Sequence, residues 1–94
     1  MATAQAPALN TDAAIIARVV HPDEADLTEG AAEAVLKIFR LDQSDQDRLR
    51  VLLVKNQDDA LAPAEKEELE NYLRVSLFVD LMHAKARFSL KKHA

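Results

Sequence analysis

The chain has no cysteine and no tryptophan, one glycine, and four aromatic residues (three Phe and one Tyr) in 94 positions. Without cysteine there is no disulfide framework, no thiol catalysis and no thiolate-held metal. A lone glycine, Gly30, leaves few sites for the positive-φ turns that join hairpin strands, and the β-branched and aromatic content of a sheet protein is thin. No stretch approaches the roughly 20 apolar residues that span a bilayer. Met1–Asn10 lacks the basic start of a secretory leader. These absences predict a soluble cytoplasmic protein that is all-α, with no membrane segment.

What is present is alanine, leucine and charge. Helix formers fill the chain. Ninety-four residues make one small domain, which buries only about 60–65% of its unfolded surface. Residues 1–10 are small and polar and read as a disordered tail; residues 11–94 read as a single helical domain of three or four helices. Sixteen acids against twelve bases give a net charge of −4. The charge is unevenly spread, because His83–Ala94 holds Lys85, Arg87, Lys91 and Lys92 with no acid. The body is acidic and the end basic.

Thr11 or Asn10 caps a first helix that begins at Asp12 and stops before Pro22, with Ile15, Ile16, Val19 and Val20 apolar. Thr28 caps a second, whose face reads Ala31, Ala34, Val35, Ile38 and Phe39. Ser44 is expected to cap a third, carrying Leu49, Leu52 and Leu53. Arg48–Val54 is also apolar enough for a strand, but no second strand exists to pair with it. The last helix starts at Pro63, with Glu65, Glu67 and Glu68 in its opening turns and the basic cluster at its far end, each sign suiting the dipole. From Pro63 to Lys91 it would run roughly 40 Å, longer than the body of a compact chain this size.

That helix is apolar on more than one side. Leu69, Leu73, Leu77, Leu81 and Ala84 form one stripe; Tyr72, Val75, Val79, Met82 and Ala86 form another, with Phe78 between them. Either both stripes are core, or one is an interface.

Three segments resemble a family of small, largely uncharacterised bacterial α-helical proteins: Pro22-Asp-Glu-Ala-Asp-Leu-Thr, Ala62-Pro-Ala-Glu-Lys-Glu-Glu-Leu-Glu-Asn-Tyr-Leu-Arg-Val and Leu81-Met-His-Ala-Lys-Ala-Arg-Phe-Ser-Leu-Lys-Lys. Members usually carry Thr or Ser where this chain has Ala62. The resemblance implies a helical fold and an association with neighbouring small nucleases of the HNH type.

No catalytic constellation is visible. His21, His83 and His93 are too scattered for a local metal pair. Asp80 and His83 lie one turn apart, which also suits an ordinary surface pair. The run from Asp42 lacks the glycine and the bidentate Glu of a calcium loop. Ser44, Ser76 and Ser89 have no histidine beside them in sequence, and no glycine-rich phosphate loop exists. No metal or cofactor is expected, and no enzyme. The chain reads as a protein-interaction module, an antitoxin-like or accessory subunit that docks a protein partner, or a second copy, through Phe78, Val79 and Met82, continued by Lys85 and Arg87. The alternative is nucleic-acid binding through Lys85, Arg87, Lys91 and Lys92.

Overall fold

The computed structural model describes residues 10–94. The described residues form four α-helices and no strand: α1 (Asp12–Val20), α2 (Glu29–Ile38), α3 (Gln43–Gln57) and α4 (Pro63–His93). Apart from Asn10, the expected N-terminal tail lies outside the described residues.

The helix ends follow local chemistry. Thr11 and Thr28 each accept a hydrogen bond from the backbone N–H three residues on, Ala14 and Ala31, both at 3.1 Å. His21 closes α1 in the left-handed region at φ 52°, and Pro22 stops the chain re-entering the helix. α3 starts earlier than expected, with Asp42 as its cap residue in place of Ser44. There Gln46 donates to the Leu41 carbonyl at 2.8 Å, which fixes the entry turn. Ala62 has no side chain to cap α4, but Glu65 reaches back to accept from the Ala62 N–H at 3.0 Å, half of a capping box.

α4 is the spine. Each of the other helices packs on it, and no two of them pack on each other. Hydrogen bonds and ion pairs to α4 fix their directions. Asp12 pairs with Arg74, and Val20 meets Lys85, so α1 runs parallel to α4. Leu27 meets Ser89 and Phe39 meets His83, so α2 runs antiparallel. Asp45 meets Tyr72 and Lys55 meets Glu65, so α3 runs antiparallel beside the earlier turns. The molecule measures 47 × 46 × 16 Å, with a radius of gyration of 16.6 Å. A compact chain of this length would have about 12 Å.

A spread-out shape makes a thin core. Val20, Ala32, Leu52, Leu69 and Ala86 are buried hydrophobics, whereas Ile15, Val19, Ile38, Val51, Leu53, Val54, Leu73, Val75 and Phe88 are exposed. The α2 face is rotated from the expected one. Ala32 is fully buried and Leu36 half-buried, while Ala31, Ala34 and Ile38 point outward, Ile38 with 74% of its surface exposed. Val35 and Phe39 of the expected face are half-buried, Phe39 stacking edge-on against Phe78 of α4 with ring centres 5.3 Å apart.

Candidate functional site

Polar side chains on α4 anchor the ends of the shorter helices. His83 Nε2 lies 2.6 Å from the Phe39 carbonyl at the end of α2; since a carbonyl only accepts, the ring donates from Nε2. Ser89 Oγ, fully buried, accepts from the Leu27 N–H at 3.2 Å. His93 Nε2 lies 3.1 Å from the Leu27 carbonyl. Lys85, only 8% exposed, donates at 2.8 Å to the Val20 carbonyl and at 2.8 Å to Asp26. The Lys85 ammonium holds the Asp26 carboxyl below its usual range. With these bonds made, no buried side-chain polar atom among the described residues lacks a partner.

α3 is held chiefly by charge. Arg48 grips Glu68 with two bonds, at 2.9 and 2.7 Å, and Lys55 reaches Glu65 at 2.6 Å. These bonds lower the Glu68 and Glu65 carboxyls and raise the Arg48 guanidinium. Tyr72 donates to Asp45 at 2.7 Å, and that bond pushes its phenol up.

Where α2 ends, α3 begins and the middle of α4 passes beneath, an apolar groove remains. Ile38, Phe39, Leu41, Val75, Phe78 and Val79 line a hollow of about 320 Å³. A second hollow of about 320 Å³ continues it past Leu41 and Val75 to Tyr72, Asn71 and Glu68. Its outer rim is polar, a space of about 520 Å³ edged by Lys37, Arg40, Asp42, Gln43 and Gln46. Leu41 is common to all three. Ile38 and Val75 are large apolar side chains left 74% and 48% exposed on its edge.

The expected site residues are thus divided. Phe78 and Val79 line the groove, and Met82 is half-buried one turn further along α4. Lys85 points inward and is occupied by Val20 and Asp26, away from any outer surface. Arg87, Lys91 and Lys92 are exposed and enter no ion pair among the described residues. His83 is engaged with Phe39, so it does not meet Asp80 as a pair. Among the described residues no three His, Asp or Glu side chains gather as metal ligands, and no helix is long and apolar enough to cross a membrane. Ile38, Leu41 and Val75 were not singled out as site residues. A single Leu in a linker and two helical apolars carry no signal until the helices are placed.

Compared with known proteins, the chain matches no family model, no curated protein and no solved structure.

Proposed function

We propose that this protein is a non-enzymatic interaction module that docks another protein in the groove formed by Ile38, Leu41, Val75, Phe78 and Val79. One observation carries the reading: Ile38 and Val75 stand exposed at the edge of an apolar hollow that no part of the described chain fills. Apolar surface of this kind gains about 25 cal/mol per Å² when covered, and such patches mark binding sites. The chemistry of the occupant follows from the rim. Lys37 and Arg40 are exposed there and enter no ion pair among the described residues, so the groove suits an apolar segment flanked by acidic side chains. In the version that the family resemblance implies, the partner is a small HNH-type nuclease, and the module acts as an antitoxin-like or accessory subunit.

The nucleic-acid alternative draws on fewer groups. With Lys85 turned inward, Arg87, Lys91 and Lys92 remain, and cations at a helix end already complement its dipole.

The test is affinity capture from the native host with and without nuclease, using the wild-type chain and an Ile38→Asp/Val75→Asp variant. Both substituted positions are exposed, so the variant should keep its helical circular dichroism. A stoichiometric protein that survives nuclease and is lost with the variant supports the groove. A partner that the folded variant still retains removes it. Recovery that depends on intact nucleic acid, and is lost when Arg87, Lys91 and Lys92 are neutralised, favours the alternative.

A further inference from the structure

The bonds that place α1, α2 and α3 also identify the side of α4 that none of them covers. At 100° per residue, the residues that meet α1 (Arg74, Lys85), α2 (Phe78, Ser89) and α3 (Glu65, Glu68, Tyr72) fill adjoining sectors of α4. The open sector holds Leu73, Leu77, Leu81, Ala84 and Phe88. Exposure agrees: Leu73 is 49% and Phe88 46% exposed, Ala84 is exposed, and Leu77 and Leu81 are half-buried. This is an apolar stripe about 22 Å long, on a sector of α4 away from the groove residues Val75 and Val79. Beyond Leu73 it runs into a hollow of about 290 Å³ edged by Leu61, Leu69 and Leu73.

We propose that a second copy of this chain covers the stripe, the two α4 helices pairing antiparallel about a two-fold axis next to Leu81. The charge along α4 argues for this occupant and this direction. An exposed acid, Glu70, lies before the stripe in the direction of Phe88; an exposed base, Lys91, lies at its end in the direction of Leu73, with Arg87 and Lys92 on either side. An antiparallel pair sets each acidic end on the other copy's basic end. A parallel pair would set like on like. With the axis between Asp80 and Leu81, Glu70 opposes Lys91 of the second copy, Leu73 opposes Phe88, and Leu77 opposes Ala84. The half-exposed large side chains then meet each other, and the small Ala84 lets the helices approach closely. Of the two bases near the acidic end of the stripe, Lys66 lies beyond the last turn of the second copy's helix and Arg74 is paired with Asp12. The interface is isologous, so it closes at a dimer. Asp80 opposes the pairing mildly, since it sits on the solvated edge near the axis and meets its own copy; the repulsion is screened by salt.

Sedimentation equilibrium of the full chain over about 1 to 500 µM should show a mass rising from 10.4 kDa toward twice that value. Ala84→Glu puts a charge in mid-stripe at an exposed helical position. It should keep the circular dichroism of the wild type and weaken the dimer at least tenfold, while Asp80→Asn tightens it. Direction is read by cross-linking, which the absence of native cysteine makes clean. Leu73→Cys/Phe88→Cys should form disulfide-linked dimers, and Leu73→Cys alone should not. A chain that stays at 10.4 kDa throughout, or an Ala84→Glu variant that dimerises like wild type, overturns the proposal. Cross-linking by Leu73→Cys alone overturns the antiparallel arrangement. None of these variants touches Ile38 or Val75, so failure here leaves the groove reading standing.

Discussion

Lys85 of α4 donates to the main-chain carbonyl of Val20, the last residue of α1, at 2.8 Å and across 65 positions of sequence. The same ammonium reaches Asp26 at 2.8 Å. One nearly buried side chain thus closes the end of α1 and ties down the turn that leads to α2. Four residues on, Ser89 holds the Leu27 N–H at the other end of that turn. Both groups lie on the basic end of α4, yet they face the protein's own backbone.

Removing either anchor should cost stability without altering helix content in the folded state. Lys85→Met keeps the packing of the stem but leaves the Val20 carbonyl without its side-chain donor; Ser89→Ala leaves the Leu27 N–H unsatisfied in a buried place. Each should lower unfolding free energy by about 1–3 kcal/mol, the cost of an unpaired buried polar group. Urea denaturation measures this. An unchanged midpoint for both variants would show that the anchors contribute nothing.

Acid should loosen the protein at defined places. The Asp26, Glu65 and Glu68 carboxyls are lowered in the fold by hydrogen bonds from Lys85, Lys55 and Arg48 respectively. A carboxyl lowered on folding stabilises the fold above its unfolded value, 3.8 for Asp and 4.5 for Glu. That contribution is lost as pH falls through the lower folded value. Thermal midpoints should therefore hold steady from pH 7 to about pH 5 and decline below it. Glu65→Gln/Glu68→Gln should be less stable at pH 7 and show a shallower decline. Equal slopes for variant and wild type would remove these pairs from the acid response.

The helix set was legible because its signals are local. Thr11 and Thr28 caps, Pro22 as a stop and Pro63 as a start each act within one turn, and all four appear in the fold. The start of α3 was misplaced because Asp42 and Ser44 are both good caps, and the choice depends on Gln46 reaching the Leu41 carbonyl. The face of α2 was right at Val35 and Phe39 and wrong at Ala31, Ala34 and Ile38, since Ala31, Ala34 and Ala32 are equivalent in hydropathy and only the placement of the helix on α4 tells them apart. The tail lysines looked alike in sequence. Only long-range placement separates Lys85, bonded to Val20, from the exposed Lys91 and Lys92. Of the groove, Phe78 and Val79 were read from the excess of apolar sides on α4, whereas Ile38 and Leu41 depend on how two linkers fall.

Gly30 offers a stabilising change. It sits in the first turn of α2 with ordinary negative φ, and a Cβ built there meets nothing within 4 Å. Gly30→Ala should reduce the freedom of the unfolded chain without strain in the folded one. The expected gain is about 0.4–1 kcal/mol, read as a higher urea midpoint with an unchanged slope. A loss of stability would mean that the exposed side of α2 is covered in a way the isolated chain does not reveal.

α3 should be the first helix to detach. Its buried apolar anchor is Leu52, fully enclosed, while Val51, Leu53 and Val54 stand exposed. The rest of its hold on α4 comes from Arg48 on Glu68, Lys55 on Glu65 and Tyr72 on Asp45. Arg48 and Lys55 are 39% and 40% exposed, so solvent and salt screen these pairs. Hydrogen exchange should therefore run faster in α3 than in α2, where Ala32 is enclosed, Ser89 of α4 holds the entry at Leu27 and Phe39 is stacked on Phe78. Raising salt should widen the difference, because it weakens the ion pairs and strengthens apolar burial. Leu52→Ala should cost about 2–5 kcal/mol of the local hold, releasing α3 while α1, α2 and α4 keep their protection. If all four helices instead lose protection together, α3 is part of one cooperative unit and its ion pairs bind it more firmly than their exposure implies.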